Sequence, residues 1–139
     1  MNRRRVLASL GGAAAAGLAG CIAAGGPCGG EEFDVGMSDS AFDPERITVS
    51  VGDTVRWLNT TDRAHTVTAY GSGLPDGADF FASGGFDSTP AAREGWDDGE
   101  GAIYPCESFE HTFETPGEYP YFCIPHEGMG MVGTVVVEE

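Results

Sequence analysis

The stretch from Tyr121 to Gly133 reads Tyr-Phe-Cys-Ile-Pro-His-Glu-Gly-Met-Gly-Met-Val-Gly, with strand-like sequence on both sides. It places a thiol, an imidazole and a thioether in one short loop, with the spacing Cys123-x2-His126-x4-Met131. A soft thiolate, a borderline imidazole and a weak thioether together suit copper better than magnesium or calcium. The loop therefore predicts a copper site whose fourth ligand comes from another part of the chain.

The first twenty residues have the composition of an export signal. Three arginines at 3–5 precede an apolar, Gly/Ala-rich run that is too short for a stable membrane span. Leu18-Ala19-Gly20-Cys21 resembles a lipoprotein processing site. We therefore expect a twin-arginine signal over 1–20 and a lipid on Cys21, although an uncleaved anchor helix also fits. Residues 21–30 read as a flexible tether before a single domain, 31–139.

The charge of the chain is strongly negative. It contains 22 acidic and 7 basic residues, and loss of the three arginines at 3–5 would leave four basic residues and a net charge of −18. Such a surface repels nucleic acid, so we expect no nucleic-acid partner. The acidic residues are spread over the whole chain, which favours adaptation to very high salt, where screening reduces self-repulsion. This pattern predicts a halophilic host.

Alternating apolar residues predict a sheet protein. Turn residues separate the alternating segments, and the cluster at 38–44 reads as one such turn. Short strands, almost no helix and regular turns are typical of an all-β Greek-key sandwich. About seven strands are predicted, at 33–37, 47–51, 55–59, 65–70, 109–113, 118–123 and 132–137.

One long irregular excursion, residues 71–105, interrupts the strands. It is dense in Gly and Asp, and a loop of this length in a small domain is either functional or packed. A hydroxyl at Ser88, Pro90 near the first turn and Gly95 at the stop predict a short helix over 88–95. Four aromatic residues are expected to pack the excursion onto the body of the domain: Phe80, Phe81, Phe86 and Trp96.

Three histidines are available to complete the copper site. His111 lies mid-strand between two phenylalanines, which favours a structural role. His65 follows a polar loop at the start of a strand, the same kind of boundary as the Cys123 loop. Together, His65, Cys123 and His126 would form a trigonal plane with Met131 as a long axial ligand, which is the arrangement of blue-copper electron-transfer sites.

At this point a family resemblance is clear. Residues 31–139 resemble a cupredoxin of the plastocyanin type, and most of all a halocyanin, the salt-adapted small blue copper protein. The resemblance implies one copper ion cycling between Cu(I) and Cu(II), with His65, Cys123, His126 and Met131 as its ligands. It rests on Phe42-Asp43-Pro44, Val51 to Trp57, Gly73 to Phe86, Thr115 to Tyr119, His65-Thr66-Val67 and the Cys123 loop.

The resemblance also assigns roles around the site. Met129 competes with Met131 for the axial position, and the family spacing favours Met131. Thr66 is predicted to hydrogen-bond across to the Cys123 loop. In relatives the loop histidine reaches the surface, so His126 is the expected electron port. A ring of small and apolar residues would surround it: Ile124, Pro125, Gly128, Met129 and Gly130.

Two cysteines are left once Cys21 takes a lipid and Cys123 takes copper. In an oxidising compartment Cys28 and Cys106 are candidates for a disulfide, and two free thiols fit the sequence as well.

These features predict a carrier and not an enzyme, because four protein ligands leave no open coordination position for catalysis. We expect a monomeric, lipid-anchored electron carrier on the outer face of the cytoplasmic membrane, exchanging electrons with a redox-protein donor and acceptor. The alternative is a copper-binding or delivery protein without a redox circuit. A copper oxidase or nitrite reductase would need further histidine pairs, and the chain has one spare histidine.

Overall fold

The computed structural model describes residues 28–139. Within them, Phe33–Glu139 form one compact unit, and residues 28–30 form a turn in a separate one. The predicted signal, Cys21 and most of the predicted tether lie outside the described residues. In the described part of the chain, no helix combines the length and the apolar character needed to cross a membrane.

Eight strands form two sheets packed as a sandwich, which confirms the all-β prediction. Sheet I has the order β2-β1-β4-β6, with β1 and β4 parallel and the other neighbours antiparallel. Sheet II has the order β3-β8-β7-β5, with β3 and β8 parallel. The strands are β1 (Val35–Met37), β2 (Phe42–Asp43), β3 (Arg46–Ser50), β4 (Thr54–Asn59), β5 (Thr68–Ala69), β6 (Ser108–Thr112), β7 (Gly117–Phe122) and β8 (Val132–Glu138).

Two strands differ from the prediction. Strand β2 lies inside the cluster that we predicted to be a turn. It has only two residues, which pair antiparallel with β1, and two residues are too few to show an alternating pattern. Strand β5 covers only part of the predicted 65–70. His65 leaves the regular ladder and forms an isolated bridge with Ile103 instead. The first predicted ligand therefore sits on irregular backbone held by the excursion.

The core between the sheets is centred on Trp57 of β4, whose side chain is fully buried. Its ring meets Tyr121 of β7 edge-on at 5.4 Å between centroids and lies 6.5 Å from Phe113. Such aromatic contacts add to the free energy gained by burying apolar area. The core extends to Cys123 and Met131, so the predicted copper loop is built on the packed end of the sandwich.

The excursion is packed, as its aromatic residues predicted. Phe81 is buried in the core and stacks on Trp57 at 6.0 Å. Helix α1 (Thr89–Asp97) begins after Ser88, whose hydroxyl accepts a hydrogen bond from the backbone N–H of Ala91. The excursion therefore contributes both a core residue and a capped helix to the domain.

The predicted helix stop at Gly95 was wrong by two residues. Gly95 lies inside α1. The ring of Phe86 packs against it, and a Cβ at this position would come within 2.0 Å of that ring, so the packing requires glycine here. The glycine that ends the helix is Gly99, with φ +83°. Its N–H bonds to the Trp96 carbonyl and that of Glu100 to the Gly95 carbonyl, which is a Schellman motif.

Candidate metal centre

Three predicted ligands converge at one end of the sandwich. His65, Cys123 and His126 are buried, and one ligand atom from each lies within 4.8 Å of the others. The Sγ of Cys123 is 3.6 Å from Nδ1 of His65 and 3.5 Å from Nδ1 of His126. The three side chains thus point their donor atoms at a common centre.

The backbone of the loop places Cys123 and His126. After β7 the chain turns through a 3₁₀-helix, Ile124–Met129, and reverses at Gly130, whose φ of +88° is in the left-handed region that favours glycine. The N–H of Cys123 donates to the Met131 carbonyl at 3.0 Å, and that of Met131 donates to the His126 carbonyl at 3.2 Å. The loop is therefore closed by its own backbone.

The two methionines of the loop differ sharply in burial. Met131 is fully buried and belongs to the same core cluster as Cys123, whereas the side chain of Met129 is 61% exposed. A ligand to a buried ion must itself reach the interior. The axial role of Met131 stays a prediction, and this difference in burial supports it over Met129.

A polar network that the sequence did not reveal orients His65. Its backbone pairs with Ile103 in both directions, and its Nε2 lies 3.1 Å from the hydroxyl of Thr61. That hydroxyl is 2.7 Å from Oδ1 of Asn59, whose amide donates to the carbonyls of Arg63 and Ile103. If Nε2–H donates to Thr61, the lone pair of His65 is on Nδ1 and faces Cys123.

Thr66 contacts the Cys123 loop as predicted. Its backbone N–H points at Sγ of Cys123 at 3.4 Å, and its hydroxyl accepts from the backbone N–H of Ile124 at 2.9 Å. An N–H directed at the sulfur favours the thiolate form. Thr66 therefore links the segment carrying His65 to the segment carrying Cys123.

The protonation states of the cluster suit a cation. Burial, followed by the neighbouring His126, lowers the pKa of His65 to about 4. Burial also lowers the pKa of His126 and raises that of the Cys123 thiol. Both imidazoles are therefore neutral at pH 7, as ligation requires, and a cation would displace the thiol proton on binding.

The geometry fits a first-row transition metal. Bonds of about 2.3 Å to sulfur and about 2.0 Å to nitrogen, at about 120°, put S and N about 3.7 Å apart. The two S···N distances of 3.6 and 3.5 Å agree with this. A His₂Cys plane with a thioether nearby is the donor set of copper electron-transfer sites. The residues present therefore fit copper.

Comparison with known proteins agrees with this donor set. A family model described as copper binding proteins, plastocyanin/azurin family, matches residues 31–138. The chain belongs to this family. Its members carry out one-electron transfer through a copper site, and copper is the cofactor of the centre built by His65, Cys123 and His126.

Individual relatives support the assignment. The chain is 31% identical to a chloroplast plastocyanin of Hordeum vulgare over 98% of this chain and 83% of the relative. It is 35% identical to a chloroplast plastocyanin of Tetradesmus obliquus over 70% of this chain, a match that spans 58% of the relative. Plastocyanin of a Synechococcus strain is 35% identical over 80% of this chain and 76% of the relative.

Solved structures show the same fold. A pseudoazurin from a Sinorhizobium species superposes with a TM-score of 0.54 and 29% identity, covering 76% of this chain and 72% of that one. The oxidised plastocyanin of Dryopteris crassirhizoma gives 0.52 and 26%, covering 75% and 98%. A copper-containing nitrite reductase from Thermus scotoductus shares the fold over 22% of its length at 24% identity.

His111 and the two other described cysteines are not among the clustered ligands. His111 stacks on Phe81 at 4.8 Å and is not in the ligand cluster, in line with the structural role predicted for it. Cys28 and Cys106 are each disulfide-bonded, and Cys123 is the free cysteine among residues 28–139. The Cys28–Cys106 pairing itself stays a prediction.

Proposed function

We propose that this chain is a halocyanin-type electron carrier, anchored by a lipid on Cys21 to the outer face of the cytoplasmic membrane of a halophile. Its role is to move single electrons from one redox protein to another in a respiratory-type chain. The observation that carries the proposal is the buried cluster of His65, Cys123 and His126, whose two sulfur–nitrogen distances match those of a thiolate and an imidazole that share a copper ion.

Bound copper supplies a one-electron couple between Cu(I) and Cu(II). The work of the protein is to keep the donor atoms in nearly the same positions in both states, so that little reorganisation accompanies the transfer. Burial of the cluster excludes water, and Thr61 and Thr66 restrict His65 and Cys123 through hydrogen bonds. A closed, preorganised site of this kind suits transfer and not substrate turnover.

Electron exchange is proposed to occur at the face around His126. Its relative exposure is 7%, whereas that of His65 is 0%, so His126 is the cluster histidine nearer to solvent. The exposed side chain of Met129 lies in the same loop. A small, partly apolar face fits the brief encounters of redox proteins, which bury little area.

The membrane attachment and the salt-rich setting rest on the sequence. The arginines at 3–5, the small residues before Cys21 and the 22 acidic residues support them. Intact-mass analysis of protein from the native membrane tests the anchor, because a mature chain beginning at a diacylated Cys21 has a defined mass. An unmodified chain that begins at Met1 would contradict it.

The redox proposal is tested with copper-loaded domain in concentrated salt. We expect an intense visible thiolate-to-copper band and reversible one-electron cycling at an electrode. A colourless complex that shows no redox wave would contradict the carrier and favour simple copper binding or delivery.

A further inference from the structure

Helix α1 of the excursion reaches the copper loop through one ion pair. Nη1 of Arg93 lies 2.8 Å from Oε1 of Glu127, and Nη2 lies 3.3 Å from Oε2, so the contact is bidentate. Glu127 directly follows the ligand His126. Paired guanidinium–carboxylate bonds fix the orientation of both groups, which a single bond between point charges does not.

The same carboxylate has a second partner. The hydroxyl of Tyr70 donates to Oε2 of Glu127 at 2.5 Å. Tyr70 lies just after β5, whereas Arg93 lies on α1, so two separate segments hold one loop carboxylate. The pKa of Glu127 is lowered, with the Arg93 hydrogen bond as the largest cause, which keeps this carboxylate ionised at neutral pH.

Tyr70 and Arg93 also hold the residue before the cysteine ligand. The ring of Tyr70 stacks on that of Phe122 with centroids 4.3 Å apart and an interplanar angle of 25°. The guanidinium carbon of Arg93 lies 4.5 Å from the centre of the Phe122 ring, a cation–π contact. Phe122 is fully buried and directly precedes Cys123.

These contacts lie at both ends of the segment that carries Cys123 and His126. One pair of side chains, Tyr70 and Arg93, touches Phe122 immediately before Cys123 and Glu127 immediately after His126. The chain between them is four residues long and contains two of the copper ligands. The two ends of the segment that carries Cys123 and His126 are therefore held by the same two side chains.

We propose that Tyr70, Arg93 and Glu127 form a clamp that fixes the Cys123–His126 spacing, and that the excursion serves the copper site through this clamp. The three are positioning residues: none is a ligand. The inference rests on the copper centre of the proposed function and deepens it. The side chains of Arg93 and Glu127 are 44% and 30% exposed, so their pair adds little to overall stability, and its effect is on loop geometry.

The test compares two variants that remove one arginine from one ion pair. Arg93→Gln breaks the clamp. Arg46→Gln is the control, because Arg46 pairs with Glu118 at 3.1 Å on the surface, through side chains that are 58% and 63% exposed, and touches no ligand neighbour. Both lose one positive charge, so effects of net charge cancel.

The first readout is hydrogen exchange of copper-free protein in concentrated salt. The backbone amides of residues 124 and 126–130 are expected to exchange about threefold to fivefold faster in Arg93→Gln than in the unmodified chain, and at an unchanged rate in Arg46→Gln. Melting temperatures of the two variants should agree. Equal loop exchange in the two variants would overturn the clamp.

The second readout is spectroscopic and uses copper-loaded protein. The relative intensities of the visible bands and the copper hyperfine coupling should change in Arg93→Gln and stay constant in Arg46→Gln. Glu127→Gln should change the same bands by a smaller amount, because it leaves the contact between Arg93 and Phe122 in place. Spectra of Arg93→Gln identical to those of the unmodified chain would contradict the proposal.

Failure of the clamp can be told from failure of the proposed function. If the unmodified chain shows no copper–thiolate band, the proposed function fails, and the exchange experiment on copper-free protein still decides the clamp. If the unmodified chain is blue and cycles reversibly while Arg93→Gln matches it in both readouts, only the clamp is wrong.

Discussion

The two histidines of the copper centre are held by different means. The ring of His65 is fixed on its far side by Thr61 and Asn59, through hydrogen bonds that exist without a metal. Within residues 28–139, no residue hydrogen-bonds the Nε2 of His126, whose position follows from the backbone of its loop. The position of the His65 ring is therefore fixed by neighbouring side chains, whereas the position of the His126 ring is fixed by the backbone of its loop.

This difference suits the two sides of an electron carrier. The buried histidine needs a fixed ring because it receives no help from a partner protein. The histidine nearer the surface is the edge of the site at which the proposed function places electron exchange. Variants that perturb the surroundings of one histidine and not the other test whether the two ligands are held independently.

The largest effect is expected on the loop side, from Cys123→Ser. A hydroxyl is a far weaker copper ligand than a thiolate, so the visible band should disappear completely. Absorption spectra of copper-loaded protein measure this. His111→Ala is the matched control and should keep its colour, because His111 lies outside the ligand cluster. A blue Cys123→Ser protein would remove Cys123 from the site.

The next effect is expected beneath His65, from Asn59→Leu. Asn59 is fully buried and donates to the carbonyls of Arg63 and Ile103, so its loss removes one buried and one partly buried hydrogen bond and leaves the hydroxyl of Thr61 without its acceptor at Oδ1. The free energy of unfolding of copper-free protein should fall by about 3 kcal/mol. Denaturant titration at constant salt measures it.

The control for Asn59→Leu is Thr112→Val, which removes an exposed hydrogen bond between Thr54 and Thr112. This change should cost about 0.5 kcal/mol. If the two variants lose the same free energy of unfolding, the hydrogen bonds around His65 stabilise the domain no more than an exposed pair does.

A more selective change is Thr61→Val, which keeps the shape of Thr61 and removes the hydroxyl facing His65. The ring then loses its partner at Nε2, and copper affinity should fall about tenfold, as for other residues that orient a metal ligand. Competition with a chelator of known affinity measures this. Thr61→Ser should retain the affinity. If Thr61→Val binds copper as tightly as the unmodified chain, side chains do not set His65.

The smallest effect concerns pH and lies away from both histidine ligands. Burial lowers the pKa of His111 below its ordinary value of 6.5, an effect that Asp79 partly opposes. The unfolded chain therefore binds this proton more readily than the folded one, so stability is lost as pH falls through 6.5 towards the lower folded value. His111→Gln should reduce this slope in copper-free protein.

Denaturant unfolding at a series of pH values between about 5 and 7.5 measures the slope. An unchanged slope in His111→Gln would assign the whole acid sensitivity to other groups, with His65 and His126 as the first candidates.

The sequence predicted the strands that show alternating apolar residues and the ligands that copper chemistry prefers. Strands such as β4 and β8 alternate clearly, and the rarity of histidine left His65 as the partner for the Cys123 loop. Strand β2 was missed because two residues cannot display a period. The helix stop was misplaced because Gly95 and Gly99 look alike in sequence, and only the structure shows the Phe86 ring against Gly95 and the left-handed backbone at Gly99.

The side chains that hold the copper ligands in position could not be predicted from the sequence, for a different reason. Asn59 ends strand β4 and Thr61 lies in the polar loop that follows, and nothing in either stretch of sequence marks a partner for a histidine. Arg93 meets Glu127 across 34 residues, and nothing in either neighbourhood marks the pair. Only the folded chain brings these side chains to the copper ligands.

The burial of Phe81 determines how the domain responds to proteolysis of the excursion. Its ring sits in the core, and on its C-terminal side the chain passes through exposed glycines at 84 and 85 before α1 returns to the loop. A protease that nicks the chain there should leave two fragments that stay associated, one held by the Phe81 ring and the other by the strands that follow. The nicked protein would then keep its colour until a denaturant separates the pieces.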